Sequence, residues 1–269
     1  MTRRSVSAQL LSAAVEEITA AGHHHVLVLG DISDDGSPAL IGAALTAITD
    51  GGLEAWAVPG NHDLTQDSHA LAIAAEGING SVGVLSAPTR VRESIALAGM
   101  ALRSDDRGQT CEAVNLPDVS AVTSQLLLWA GHYPLVSQQA ALLAVGLRYP
   151  GDLQNLAESR AAASRHHGPI VVLHGHLHTA ISSKHGRMLQ LGFPAVVEWP
   201  HAWTDLRIET SPLGATVRTA TRSIAGSWSR CRQDTLLTST VQNWQLAGGR
   251  WQAAAARTGA STRGGSKTT

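Results

Sequence analysis

The sequence has few cysteines, almost no net charge and no long apolar run. Its 269 residues include two cysteines, Cys111 and Cys231, which have no CxxC spacing and predict no disulfide framework. A formal net charge of −1 gives no electrostatic reason to expect binding to nucleic acid or membranes. No apolar run approaches the ~20 residues of a transmembrane helix, and Thr2-Arg3-Arg4 is not followed by the apolar core of a signal peptide. These absences favour a cytoplasmic protein in a reducing compartment.

Four apolar segments are each followed by residues that can bind a metal or transfer a proton. The first, Val26-Leu27-Val28-Leu29, predicts a strand buried on both faces inside a parallel sheet, and it leads into Gly30 and Asp31. The other three segments and the motifs after them are 53–58 with Gly60-Asn61-His62-Asp63, 126–130 with Gly131-His132, and 170–173 with His174-Gly175-His176-Leu177-His178. Because ligands of open α/β sheets bind at the carboxyl ends of the strands, the sequence predicts one site formed by all four ends.

The segments between these strands carry helical patterns, which gives the alternation typical of a parallel sheet. Ser37 followed by Pro38 is a good helix start, with Ser37 as the capping residue and Gly51-Gly52 as the end. The predicted helices are 5–21, 37–50, 67–75, 138–145 and 152–164. Residues 90–102 predict one or two strands, and residues 104–117 predict a loop.

The pattern changes after His178. Short segments separated by Gly or Pro predict antiparallel strands at 181–191, 195–199, 205–209 and 215–221. Residues 198–203 are candidates for the border of the site, although large aromatic side chains in such a setting more often belong to a core. Beyond residue 252 the chain is small, polar and Gly-rich, so we predict a single domain over 1–252 and a disordered tail over 253–269. His23-His24-His25 lies before the first strand, opposite the expected site, and is interpreted as a solvated loop.

In chain order, the four motifs resemble those of the calcineurin-like metallophosphoesterase superfamily. They are Gly-Asp-x-x-Asp at 30–34, Gly-Asn-His-Asp at 60–63, Gly-His at 131–132 and Gly-His-x-His at 175–178. The resemblance implies an α/β fold, built as a four-layer α/β/β/α sandwich of two mixed sheets, and a metal-dependent hydrolase of phosphomono- or phosphodiesters. The second and fourth motifs are more similar to the bacterial small-molecule branch, which includes cyclic-nucleotide phosphodiesterases. The implied partner is therefore a small-molecule phosphoester.

The resemblance also implies ligands for two divalent metal ions. Asp31 would bridge the two ions, and His178 would face the first. The remaining ligands of the second ion would be Asn61, His132 and His176. Oxygen and imidazole ligands together suit Mn, Fe, Zn or Co. Such ions lower the pKa of a bound water to about 7 and clamp the phosphoryl oxygens, so that a metal-bound hydroxide attacks in line.

By the same resemblance, His62 would act at the leaving-group oxygen and not on a metal. Asp34 would orient its imidazole and raise its proton affinity, which suits a general acid near neutral pH. Protein Ser/Thr phosphatases of the superfamily carry Asp-Arg-Gly where this chain has Asp34-Asp35-Gly36. The missing arginine removes a bidentate phosphate clamp, so a phosphoprotein substrate is disfavoured.

One family motif, the Asp-x-His that ends the first strand, is absent from that place. Asp67-Ser68-His69 spells it, but this segment directly follows Gly-Asn-His-Asp, and Asp67 is better explained as a helix cap. The first metal site therefore retains only Asp31 and His178. Because loss of an interior strand would leave unpaired ladder groups, we expect an incomplete amino terminus, with an in-frame upstream extension encoding a short strand and Asp-x-His. The chain as given should bind at most one ion tightly and show weak activity or none.

Other interpretations of the same residues are open. The main alternative is a binding protein of this fold that has lost its first metal site and has little or no catalysis. A metallo-β-lactamase would carry His-x-His-x-Asp-His, which residues 174–178 match at the start, but Thr179 stands where the Asp-His pair should appear. Taken singly, Asp31 could be a helix cap and His132 a satisfied core histidine. Four motifs in family order at the same strand ends argue against those single explanations, whereas His174, which has no motif role, is interpreted as a core or supporting residue.

Overall fold

The computed structural model of the chain describes residues 3–78, 80–105, 110–198, 201–224 and 241–254. Its helices are α1 (Arg3–Ala20), α2 (Pro38–Asp50), α3 (Ala70–Glu76), α4 (Gln139–Ala144) and α5 (Leu156–Ala163). A short 3₁₀ helix, His62–Leu64, lies between the second strand and α3. Within the described ranges, no helix is both long and apolar enough to cross a membrane.

The strands of the described residues form four hydrogen-bonded sheets. In chain order they are β1 (His25–Val28), β2 (Glu54–Ala57), β3 (Val82–Val84), β4 (Thr89–Arg92), β5 (Ile95–Gly99), β6 (Ala101–Ser104), β7 (Cys111–Val114), β8 (Leu126–Ala130), β9 (Ile170–His174), β10 (Ser182–His185), β11 (Met188–Gly192), β12 (Ala202–Ser211), β13 (Gly214–Ser223), β14 (Val241–Ala247) and β15 (Arg250–Ala253). The parallel sheet has the order β1-β2-β3, and the mixed six-stranded sheet has the order β10-β11-β9-β8-β5-β4. The antiparallel sheet has the order β12-β13-β14-β15, and among the described strands β6 pairs with β7 alone.

The layers of the fold follow from which faces are apolar. The parallel and six-stranded sheets share one core, in which Leu27 of β1 packs in the same cluster as Leu173 of β9. On the outer face of the parallel sheet, α1 contributes Ile18 and α2 contributes Leu45 to two further clusters. Ala163 of α5 belongs to the cluster on the outer face of the six-stranded sheet. The resulting α/β/β/α order confirms the predicted fold class, and β12–β15 add a further antiparallel sheet against the central core.

The second helix begins and ends where the sequence predicts, but its predicted cap is wrong. Its buried residues, Ile41, Leu45 and Ile48, recur at the three- and four-residue spacing of an amphipathic helix. The Ser37 side chain makes no capping hydrogen bond. Instead, the carboxylate of Asp35 accepts a hydrogen bond from the Ser37 N–H at 3.1 Å, so Asp35 fixes the entry to α2.

The prediction that Val26 to Leu29 is buried on both faces is correct only in part: Leu27 and Leu29 pack on one face of the sheet and Val26 and Val28 on the other, but none is fully buried. All four residues are only half-buried. The reason is the position of β1, which is the edge strand of the parallel sheet and pairs with β2 alone among the described strands. An edge strand has a neighbour on one side only, so a run of aliphatic residues overestimates its burial.

Three other predictions are corrected by the strand pairing. Residues 104–117, predicted as loop, include β7, which pairs with β6. Residues 181–191 form the antiparallel pair β10 and β11, but β11 pairs with β9 in parallel. Residues 195–198 form no strand, and residues 199–200 lie outside the described part. The predicted tail is described only at its start, where β15 runs to Ala253.

Replacing Leu45 should destabilise the fold because its side chain is fully buried between α2 and the parallel sheet. We expect Leu45→Ala to lower the free energy of unfolding by about 2–5 kcal/mol, measured by urea denaturation. Leu40, on the same helix, is 37% exposed, and Leu40→Ala should cost less than about 1 kcal/mol. Equal losses in the two variants would contradict this packing of α2.

Candidate active site

The ends of β1, β2, β8 and β9 meet at one edge of the central layers, as the sequence predicts. Close approach of the loops depends on two glycines. A Cβ on Gly30 would lie 2.6 Å from the main-chain nitrogen of Gly60 and 2.8 Å from Nδ1 of His132. A Cβ on Gly60 would overlap Oδ1 of Asp31. Neither position has room for a side chain, so only glycine lets these strand ends come together.

Three of the predicted ligands converge on a ring nitrogen of a fourth, His132. Nδ1 of His132 lies 2.7 Å from the carbonyl oxygen of Leu29, which can only accept, so Nδ1 carries the hydrogen of this bond. The other nitrogen, Nε2, has three neighbours. They are Asp31 Oδ2 at 3.1 Å, Asn61 Oδ1 at 3.1 Å and His176 Nδ1 at 3.2 Å. The site thus collects oxygen and nitrogen acceptors around one point.

The charges at this point are strongly coupled. Burial alone would raise the pKa of Asp31, but the hydrogen bond and charge of His132, with the His62 N–H, hold it at about 2. Burial opposes the protonation of His132, yet Asp31 more than offsets it and raises the pKa of that imidazole. Burial, followed by the charge of His132, lowers the pKa of His176 to about 3. His176 therefore stays neutral at physiological pH, which leaves its lone pair available to a metal.

The residues present fit a divalent ion by their chemistry. Since a bond to such an ion is about 2.1 Å long, two ligand atoms on the same ion are typically about 3–3.5 Å apart. The three contacts to Nε2 of His132 fall in that range. In addition, Nε2 of His176 is buried and has no hydrogen-bond partner. Counting only His, Cys, Asp and Glu, no group of three or more in the described residues has a preformed ligating arrangement. An ion bound here would therefore need the amide of Asn61 as a further donor and an adjustment of the rings.

His62 lies at the solvent-exposed side of this cluster, with 46% of its side chain accessible. Its main-chain N–H donates to Asp31 Oδ1 at 3.0 Å. Its Nδ1 is 3.1 Å from the carbonyl oxygen of Asp34 and 3.4 Å from Oδ1 of the same residue. The Asp34 carboxylate is 91% exposed, so the closer contact that orients the imidazole is the main-chain carbonyl.

His178 has a partner that the sequence motifs do not contain. Its Nδ1 lies 2.7 Å from Oε2 of Glu198, and its main-chain N–H donates to the carbonyl of Gly175 at 2.8 Å. A histidine that uses one nitrogen for a carboxylate presents the other in a fixed direction, which is the usual arrangement around metal-ligating histidines. The only sequence signal for Glu198 was its place in residues 198–203, the candidate border of the site.

Two further residues that hold the site were assigned no role in the sequence. The carboxylate of Asp63 is buried and accepts hydrogen bonds from Ser33 N–H and Gly60 N–H, both at 2.9 Å. It therefore ties the loop after β1 to the loop after β2, although burial raises its pKa. The ring of Tyr133 stacks on that of His176, with 3.9 Å between centroids. Asp63 is the last residue of the Gly-Asn-His-Asp motif, whereas the only signal for Tyr133 is that it directly follows Gly131-His132.

Among the histidines outside the predicted ligand set, His174 is a core residue as predicted. His174 is fully buried, neither ring nitrogen has a partner, and burial lowers its pKa to about 3, as for a neutral core residue. The prediction of a solvated loop at His23-His24-His25 is correct only in part. His24 and His25 are exposed, but His25 begins β1, 3.2 Å from Glu54, and His23 is partly buried, 3.7 Å from Asp205. In Asp67-Ser68-His69 all three residues are exposed, and Asp67 Oδ1 accepts the His69 N–H at 2.7 Å just before α3. The N-cap of α3 is His69, so the prediction that Asp67 caps the helix is wrong, and Asp67 instead fixes the turn that precedes it.

Comparison with known proteins gives one family match. The family model described as calcineurin-like phosphoesterase matches residues 6–180, well over half of the chain. No curated protein matches the sequence. Among solved structures, the crystal structure of TT1561 of Thermus thermophilus is 12% identical, with 81% of this chain and 93% of that chain covered and a TM-score of 0.47. A structural likeness at that level carries no argument about function.

Removal of the Asp63 carboxylate should loosen the site. We expect Asp63→Ala to lower the free energy of unfolding by about 2–4 kcal/mol, because two N–H groups lose their acceptor. Since the loops of Asp31 and Asn61 then separate, affinity for divalent ions should fall roughly 10–100-fold in calorimetric titrations.

Asp67→Ala is the matched control for that variant. Asp67 also accepts one main-chain hydrogen bond, but in an exposed turn, so its loss should cost about 1 kcal/mol or less and leave metal affinity unchanged. If Asp67→Ala lost a metal ion, Asp67-Ser68-His69 would belong to the site after all.

Proposed function

The chain belongs to the calcineurin-like phosphoesterase family, and from that premise we propose that it is a divalent-metal-dependent hydrolase of small-molecule phosphomono- or phosphodiesters. The observation that carries this proposal is the convergence of Asp31, Asn61 and His176 on Nε2 of His132. Acceptor atoms at such distances repel one another unless a proton or a cation lies between them. Membership of the family supports hydrolysis of phosphoesters. The contacts around Nε2 of His132 support binding of a cation at this site.

Asp31, Asn61, His132 and His176 would hold one ion, and Asp31 with His178 would contribute to a second. Bound divalent ions in such sites activate water and neutralise phosphoryl charge. The chain supplies their placement. Oδ1 of Asp31 is occupied by the His62 N–H, so only Oδ2 faces the cluster, and the stacked ring of Tyr133 limits the rotation of His176.

His62 would protonate the leaving-group oxygen. It is exposed beside the cluster, and its Nδ1 is engaged by the Asp34 carbonyl, so its Nε2 is directed away from that loop. A hydrogen bond from Nδ1 to a carbonyl fixes the ring orientation without neutralising the charge of an imidazolium. The ring can therefore give up a proton from Nε2 and regain it from solvent.

The alternative function is that of a binding protein of the same fold with little or no catalysis. It is favoured by the first metal site, for which the sequence-predicted ligands within the described residues are Asp31 and His178 alone. Metal content and turnover measured on the same sample distinguish the two functions. About two ions per chain with turnover would support the hydrolase, and one ion or none without turnover would support the binding protein.

Metal removal should abolish phosphoesterase activity, and Mn, Co or Zn should restore it. His176→Ala should lose both the metal and the turnover, because it removes a ligand from the complete shell. His24→Ala, an exposed histidine at the opposite end of β1, should retain both. Elemental analysis and a panel of phosphomono- and phosphodiesters measure the two properties, and an unchanged metal content in His176→Ala would refute the assigned ligand shell.

His62→Ala should separate substrates by their leaving groups. On an ester with an alkoxide leaving group, we expect a loss of roughly 10²–10⁴-fold in kcat, because the leaving oxygen needs a proton. The loss should be much smaller on a nitrophenyl ester. Asp34→Asn should show a weak version of this pattern, since the closer contact to the ring comes from the main chain. Equal losses on both substrates would rule out protonation of the leaving group by His62.

A further inference from the structure

A second charged site lies on the outer face of the four-stranded sheet, apart from the predicted active site. In the pairing of β12 with β13, Arg207 lies directly opposite Arg218, and Asp205 lies opposite Ala220. Arg222 is the next residue of β13 on the same face. These five residues line a pocket of about 90 Å³. The alternate residues of both strands pack into the central core, so the pocket side chains point outwards.

One carboxylate in this pocket is shared by two arginines. Asp205 is buried, and its Oδ2 lies 3.1 Å from both Nε and Nη2 of Arg207. Nη2 of Arg222 lies 3.9 Å from the same oxygen, and its guanidinium sits over the Trp203 ring at 5.4 Å. Arg207 and Arg222 are thus held in place, while each keeps half or more of its side chain exposed to the pocket.

With Arg218, the side chains that line the pocket carry more positive than negative charge. Arg218 makes no ion pair with any carboxylate in the part of the chain that the structure describes, and Glu209, further along the same face, pairs with none either. Like charges directly opposite each other in a sheet are destabilising. The pocket lining itself carries three arginines and one aspartate, which is two more positive charges than negative ones, and Glu209 lies outside it on the same face. This imbalance in the lining suits an anion.

We propose that this pocket binds a phosphoryl group, either free inorganic phosphate or the phosphate of a small organic molecule. Planar guanidinium groups form paired hydrogen bonds with phosphate oxygens, which lysine cannot reproduce. The methyl group of Ala220 leaves room between the arginines for the oxygens.

The pocket is distinct from the predicted metal ligands. His23, which precedes β1, lies 3.7 Å from Asp205, whereas Asp31 follows the other end of β1. The intervening extended chain spans roughly 20 Å. The pocket therefore does not depend on the proposed hydrolase function.

The test separates this pocket from any phosphate bound at the active site. Titration calorimetry with inorganic phosphate on His176→Ala protein should still show one binding event. When Arg218→Gln is combined with His176→Ala, the affinity for phosphate should fall at least about tenfold, because a charged hydrogen-bond pair is lost. Adding Ala220→Leu, which fills the pocket and keeps every charge, should weaken it as well. Arg250→Gln, an exposed arginine on the edge strand β15, should leave it unchanged.

Thermal unfolding gives a second readout. Without phosphate, Arg218→Gln should be as stable as the parent or more stable, since one of two opposed charges is removed. Phosphate should raise the Tm of the parent and not that of Arg218→Gln. Tighter binding of methylphosphonate than of inorganic phosphate would assign the site to a phosphorylated molecule, and the reverse order to free phosphate. No binding to His176→Ala, or equal binding to the Ala220→Leu variant, would overturn the proposal.

Discussion

The hydrogen bond from His132 to the carbonyl of Leu29 is the constraint on which the site depends. Since Nδ1 carries the hydrogen of that bond, a neutral His132 must point the lone pair of Nε2 at Asp31, Asn61 and His176. Burial opposes a charge on His132, but the hydrogen bond and charge of Asp31 outweigh it and raise the pKa of that imidazole, while His132 holds the pKa of Asp31 at about 2. A cation bound at Nε2 would compete with a proton for the same lone pair, so its affinity should fall as the pH falls.

The same bond explains why the motifs begin with glycine. The carbonyl of Leu29 reaches His132 only if the loops of β1, β2 and β9 pass within contact distance. A Cβ on Gly175 would lie 2.9 Å from that carbonyl oxygen, and one on Gly30 would touch both Gly60 and the His132 ring. These glycines are therefore needed mainly because they leave room for the loops to approach one another. Gly30 also has a φ of 85°, a conformation that favours glycine.

The sequence predicts the strand ends well because their signal is local. An aliphatic run followed by Gly and a polar residue specifies both the strand and the end at which the side chain appears, as for Asp31 and His132. The burial of a strand is not a local property, which is why Val26 to Leu29 were overestimated. Likewise, the parallel pairing of β11 with β9 and the contact of Glu198 with His178 join segments whose proximity depends on the folded chain. Neither can be derived from residue spacing.

Two residues of the candidate site, Asp31 and His178, have a strained backbone conformation. Asp31 and His178 have φ values of 51° and 48°, in the left-handed region that costs an ordinary residue on the order of 1–2 kcal/mol. Each strained residue is held by two contacts. Asp31 is held by the His62 N–H and by His132, and His178 by the Gly175 carbonyl and by Glu198.

Such strain persists only where the surroundings enforce it, and among the described residues Asn115 and His201 have the same left-handed conformation. For Asp31 and His178 the enforcing contacts come from His62, His132, Gly175 and Glu198, all of them within the chain itself.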